Sequence, residues 1–80
     1  MATLLSQSRI ADLQLEGAIQ VALEHHAQVP FERIRVSVAD GVATISGTVD
    51  WRYQQVAALA ATRAVGGVRD VHDRLTVTFF

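Results

Sequence analysis

The sequence predicts a small α+β domain in the order α-β-β-α-β, with two helices packed on one face of a three-stranded mixed sheet. Three observations predict it. Apolar residues recur at helical spacing in two separate stretches. Between them, a run that alternates at strand spacing reverses at Asp40-Gly41. A last alternating run closes the chain.

The first helix is expected from Asp12 to His26. Leu15, Ala18, Ile19, Ala22 and Leu23 fall at i, i+3, i+4, i+7 and i+8, which is one helical face. Asp12 is a good N-cap, and Glu16 places negative charge near the positive end of the helix dipole. Pro30 sets the downstream limit, because the residue before proline is pushed out of the α region. His25 and His26 then lie in the last turn. Residues 1–9 read as an N-terminal extension and 10–80 as a single domain.

Ile34, Val36 and Val38 alternate with Arg35 and Ser37, and Asp40-Gly41 is a strong two-residue hairpin signal. The return strand runs from Val42 to Val49. A two-residue turn pairs Ala39 with Val42 and Val38 with Ala43, so Ala43, Ile45, Gly47 and Val49 share the face of Val36 and Val38. Gly47 inside a strand marks close approach of a neighbouring backbone or helix. Arg33, Arg35, Ser37, Val42, Thr44, Ser46 and Thr48 take the other face.

A second helix is expected from near Asp50, with Tyr53, Val56, Ala57, Ala60 and Ala64 as its inner stripe and Gly66-Gly67 ending it. The stripe is mostly alanine, so the helix should sit close to the sheet. In the last strand Val71, Leu75, Val77 and Phe79 oppose His72, Arg74, Thr76 and Thr78. A fully regular strand would place Asp73 inward, so regularity is expected to begin around His72 or Asp73. Ile45, Val36, Val49, Leu23, Ile19, Val56 and Leu75 are the expected core.

Composition bounds the function. Eighty residues allow one domain. Without cysteine, neither disulfides nor a thiolate metal site can staple the fold. The net charge of −1 argues against sequence-independent nucleic-acid binding, which needs a dense basic face. Met1 to Leu5 is apolar, but Ser6-Gln7-Ser8-Arg9 follows at once, unlike a secretory signal. No run approaches the ~18 apolar residues of a membrane span. The chain taken as complete would be cytoplasmic; as a piece of an exported parent it would not.

The hairpin run from Ile34 to Val49, with Asp40-Gly41 at its turn and Gly47 in its return strand, resembles the hairpin of the BON domain family. The run from Val65 to Val77, with Gly67 and Val68 ahead of Val71, Asp73, Leu75 and Val77, is similar to the family's closing segment. The likeness covers roughly residues 10 to 79. Asp73 stands where the family often has Asn, and Ala43 where Val is common. The resemblance implies a non-enzymatic module that binds phospholipid at the cell envelope, in a periplasmic or osmotic-stress setting. The alternatives are a protein-interaction or assembly module among sister domains, and a small-ligand sensor. It implies no catalytic residues. Gly41, Gly47 and Gly67 match structural glycines.

Other chemistry is weak. Adjacent His25 and His26 diverge by about 100° on a helix, so they rarely share an ion. Ser46, His72 and Asp73 make a triple on paper without a nucleophile elbow. Gly66-Gly67 lacks the spacing of a phosphate loop. Neither metal nor cofactor is expected. Arg33, Arg35 and Arg74 share the open sheet face with His72 and the threonines, where they either hold an anion bidentately or simply solvate the sheet. Trp51 lies off the core stripe, where it either meets a lipid headgroup region or partner or packs under the N-terminal segment. Leu4, Leu5, Ile10, Leu13 and Val21 add apolar residues outside the main stripe of the first helix. The candidate binding residues are thus Trp51, Leu13, Arg35 and Arg74, with the apolar edge near Trp51 and the outer first helix ahead of the arginine face. The ligand of choice is an anionic phospholipid surface.

Overall fold

The computed structural model describes residues 2–79, with side chains from Arg9 onward. Its elements are α1 (Ala2–Glu24), a single 3-10 turn (Phe31–Arg33), β1 (Ile34–Ala39), β2 (Val42–Val49), α2 (Arg52–Arg63) and β3 (Asp70–Val77). The expected α-β-β-α-β order is the observed one. β2 is central, antiparallel to β1 and parallel to β3.

The hairpin has the expected register, with Ala39 opposite Val42 and Val38 opposite Ala43. Asp40 (φ 52°) and Gly41 (φ 80°) are both left-handed, as the tight turn of a twisted hairpin requires. Asp12 closes this turn from outside. Its carboxylate accepts the N–H groups of Asp40 (3.0 Å) and Gly41 (3.1 Å). Asp12 is therefore not an N-cap: α1 already began ten residues earlier, and the carboxylate serves orphan turn donors instead. At the other end α1 stops at Glu24, leaving His25 and His26 just beyond it.

One core joins both helices to one sheet face. Ile19, Leu23, Val29, Val38, Ala43, Ile45, Ala57 and Ala58 are buried together. Val49 is also buried, while Val36 and Leu75 are only half-buried because they sit on the two edge strands. Ala18, expected on the inner face of α1, is exposed.

α2 corrects the expectation most. Its inner face is Ala57, Ala58, Ala61 and Thr62, whereas Tyr53, Val56, Ala60 and Ala64 face outward. Tyr53 is 55% and Val56 58% exposed. The reason is steric. Alanines let α2 approach the sheet closely, and fully buried Thr62 satisfies its hydroxyl on the Ala58 carbonyl at 2.8 Å. The helix also ends at Arg63, so Gly67 (φ 100°) belongs to the following turn and is not the cap.

β3 begins at Asp70, earlier than expected, and is regular throughout. Asp73 pairs with Ile45 and so does point to the helix side of the sheet. It is tolerated there because β3 is an edge. Its carboxylate is exposed, accepts the Gln55 side-chain N–H at 2.7 Å and also accepts the Leu75 N–H at 2.9 Å.

Candidate binding surfaces

At the start of α2 the chain turns without an oxygen-bearing N-cap. Trp51 is extended (φ −124°, ψ 150°), and the Gln54 side-chain oxygen reaches back to the N–H groups of Asp50 (2.9 Å) and Trp51 (3.0 Å). Gln54 thus satisfies backbone donors that would otherwise be orphaned. The indole is left on the outside. It stacks on Phe79 with ring centroids 5.0 Å apart and planes at 27°. Phe79 is held in place by its N–H to the Asp50 carbonyl at 2.8 Å. Trp51 remains 45% exposed. Phe79, expected inside the sheet, lies beyond the strand end, because β3 finishes at Val77 and the chain there follows Val49 and Asp50.

The outer face of α2 continues from this aromatic pair. Tyr53, Val56 and Ala60 are exposed, with Arg52 and Arg63 beside them. α2 contains no acidic residue at all. Neither Arg52 nor Arg63 has an ion pair among the described residues. Arg63 also borders a shallow depression with Arg69 and Asp70.

The outer face of α1 carries Ile10, Leu13 and Val21, each at least half exposed. Leu13 is next to Asp12, at the hairpin-turn end of the sheet, whereas Trp51 follows the far end of β2. Eight strand residues separate those ends, about 26 Å at ~3.3 Å per residue. Leu13 and Trp51 are therefore not one compact edge. Leu4 and Leu5 lie outside the residues whose side chains are described.

The open sheet face has its own order. Arg35, Ser46 and Arg74 fall in one row across all three strands, and Ser37, Thr44 and His72 in the next. Arg33 is not among them. It ends the 3-10 turn and forms a bidentate pair with Asp50, both bonds 3.1 Å. The hydrogen bonds from Arg33 hold the Asp50 carboxyl below its ordinary range and raise Arg33 above its own. Strand alternation places Asp73 on the opposite face from Ser46 and His72, so the paper triple does not assemble. Among the described residues, no three His, Asp or Glu side chains cluster as metal ligands would.

A groove of about 610 Å3 opens at the hairpin-turn end between α1, Asp40-Gly41 and Gly66-Gly67. Several of its polar groups are already engaged with one another. Asp12 holds the turn, the Arg69 N–H donates to the Gly41 carbonyl at 2.8 Å, and the Arg69 guanidinium touches the Asp40 carbonyl at 3.4 Å. The sheet edges are also partly closed. The Glu16 side chain accepts the Val38 N–H, and Asp70 and Asp73 accept N–H groups of β3. Side-chain carboxylates on edge donors disfavour strand addition.

Compared with protein families, residues 11–78 match the BON domain. The chain belongs to the BON domain family. BON domains are non-catalytic modules that bind phospholipid or mediate interactions. No curated protein matches the chain. The family's glycines have physical work here. Gly47 (φ 128°) faces the Arg33 backbone so closely that an added Cβ would lie 2.0 Å from its carbonyl oxygen. An added Cβ on Gly67 would lie 3.0 Å from Leu15 of α1. No helix of the BON domain described here is long and apolar enough to cross a membrane.

The sequence offered Trp51, Leu13, Arg35 and Arg74 as candidates, and all four are exposed. It missed Phe79 as the partner of Trp51, and it assigned Tyr53 and Val56 to the core. The available signal was the pair Arg52 and Arg63 flanking an acid-free helix, which fits an exposed face better than a buried one.

Proposed function

We propose that this BON domain is a non-enzymatic binding module that docks on an anionic phospholipid surface through Trp51, Phe79 and the outer face of α2. The observation that carries the reading is the composition of that face. It combines interfacial aromatics (Trp51, Tyr53), aliphatic Val56 and two arginines that make no ion pair among the described residues, with no acidic residue in the helix. Aromatic rings at headgroup depth and basic residues beside them are what an anionic membrane surface attracts.

The contribution of Trp51 can be bounded. An indole side chain can bury up to ~250 Å². At 45% exposure roughly 110 Å² remains to be covered. At ~25 cal/mol per Å², that is at most about 2.8 kcal/mol. Trp51→Ala should therefore weaken membrane binding roughly 10- to 100-fold. The assay is co-sedimentation with phosphatidylglycerol vesicles against phosphatidylcholine vesicles, at low and high salt. Pelleting should occur with the anionic vesicles, fall as salt rises and be lost in Trp51→Ala. Equal pelleting of Trp51→Ala, with circular dichroism showing it folded, would remove the assignment.

A second reading is favoured by the outer face of α1. Ile10, Leu13 and Val21 are exposed, flanked by Gln14 and Gln20, with one charge of each sign beside them, Arg9 a turn before Leu13 and Glu24 a turn after Val21. An apolar face whose flanking charges, Arg9 and Glu24, are of opposite sign suits a sister domain or protein partner better than an anionic bilayer. Self-association that Leu13→Glu abolishes, without any vesicle pelleting, would favour this assembly reading.

A further inference from the structure

We propose that the open face of the sheet carries a second site, separate from α2, for a phosphate monoester gripped between Arg35 and Arg74 across Ser46. The central position of β2 creates it. Arg35 pairs with Ser46 on one side, and Ser46 pairs with Arg74 on the other. Two strand spacings of ~4.8 Å put the arginine Cα atoms about 10 Å apart, with the serine hydroxyl between them. Side chains of this length can converge over that hydroxyl.

The surroundings leave both cations available. Neither Arg35 nor Arg74 makes a hydrogen bond or ion pair through its guanidinium among the described residues. The adjoining rows are Ser37, Thr44 and His72 on one side and Thr48 and Thr76 on the other, which contain no carboxylate. The acidic residue of β3 on this face is Asp70, four residues from Arg74 and so about 13 Å away. The other arginines near the sheet are differently placed: Arg33 is held by Asp50, and Arg69 lies across Gly41.

Charge and shape select the ligand. A guanidinium presents a planar fork that meets phosphate oxygens two at a time. Two forks facing each other match a group with close to two negative charges. A phosphate monoester carries about −1.5 to −2 at neutral pH, whereas a diester has one ionised oxygen. The hydroxyls of Ser46 and Thr44, both half-buried, supply neutral donors beneath it. The face points away from both helices, so a domain lying on a bilayer through α2 leaves this row in water. The site therefore stands or falls independently of the membrane reading.

The test is a nuclear magnetic resonance titration of the whole chain with phenyl phosphate, at constant ionic strength, with diethyl phosphate as the single-charge control. Saturable shifts are expected at Arg35, Thr44, Ser46 and Arg74, with the diester at least about fivefold weaker. Arg35→Gln and Arg74→Gln should each weaken binding about fivefold, a scale set by exposed charge pairs. Arg35→Lys with Arg74→Lys keeps the charge and removes the forks, and it should weaken binding too. Both variants are at exposed positions, and circular dichroism checks that they fold. Non-saturating shifts, or wild-type affinity in the double lysine variant, would overturn the site. Vesicles then separate the two sources of the monoester. If phosphatidic acid vesicles, but not phosphatidylglycerol vesicles, lose binding in the double glutamine variant, a lipid headgroup supplies the phosphate. If only phenyl phosphate binding is lost, the ligand is a soluble phosphate ester. Trp51→Ala should leave the titration unchanged, which keeps failure here distinct from failure of the α2 surface.

Discussion

Gly47→Ala probes the point where β1, β2 and the 3-10 turn meet. The backbone there has φ 128°, and the new Cβ would lie 2.0 Å from the Arg33 carbonyl oxygen. Real Cβ atoms essentially never approach closer than 3.0 Å, so one backbone must move by about 1 Å (3.0 − 2.0). The obstacle is main chain and not the end of a flexible side chain. Holding an L residue in this φ region costs roughly 1–3 kcal/mol. Moving Arg33 also disturbs the Ile34–Gly47 pairing, worth about 1 kcal/mol for each backbone hydrogen bond lost. The total is roughly 3–5 kcal/mol, against an expected stability of about 4–12 kcal/mol for a chain of this length. Urea unfolding followed by far-ultraviolet circular dichroism measures it. With a slope near 1 kcal/mol per molar, the midpoint should fall by about 3 M or the variant should be unfolded in buffer. Gly41→Ala is the internal comparison, because its Cβ meets the flexible Arg69 side chain at 2.9 Å and should cost only about 1–2 kcal/mol. A Gly47→Ala loss below about 1 kcal/mol, or the reverse order of the two variants, would refute the steric argument.

Three further outcomes are expected. Ile45→Ala removes a fully buried side chain at the centre of the core and should cost roughly 2–5 kcal/mol in the same unfolding assay; a loss under about 1 kcal/mol would mean the observed register is wrong. Asp12→Ala should release the Asp40 and Gly41 amides, seen as faster hydrogen exchange at those two positions without a change in helix content; loss of helix signal instead would restore Asp12 as a helix cap. Asp50 titrates below its ordinary value of 3.8 because Arg33 hydrogen-bonds its charged form. Its stabilisation is therefore present above that value and lost as pH falls through the lowered one, so Asp50→Asn should be less stable than wild type at pH 7, with the difference shrinking as the pH falls below 3.8. A constant difference between the two across an acid titration would contradict this.

Much of this domain is legible in the chain itself, because periodicity and turn chemistry are local. Alternation fixed which hairpin residues face the helices, and Asp40-Gly41 fixed the register, since a two-residue left-handed turn allows one pairing only. Gly47 announced a close approach, and the Arg33 carbonyl is what approaches. Leu15, Ile19 and Leu23 of the first helix faced inward as their spacing required.

What tertiary structure decided is the choice between surfaces that look alike locally. α2 has apolar residues on both sides. Close packing selected the small side, Ala57, Ala58 and Ala61, because two layers approach best where side chains are short, and this turned Tyr53 and Val56 outward to join Trp51. Asp12 reads equally well as a cap or as a clamp until a turn far along the chain arrives beside it. Arg33 and Arg35 look equivalent by alternation, yet a 3-10 turn takes Arg33 off the strand and gives it Asp50, leaving Arg35 to face Arg74 across β2. Local sequence sets period and propensity, whereas which face is buried and which charge finds a partner depend on residues brought together only when the layers close.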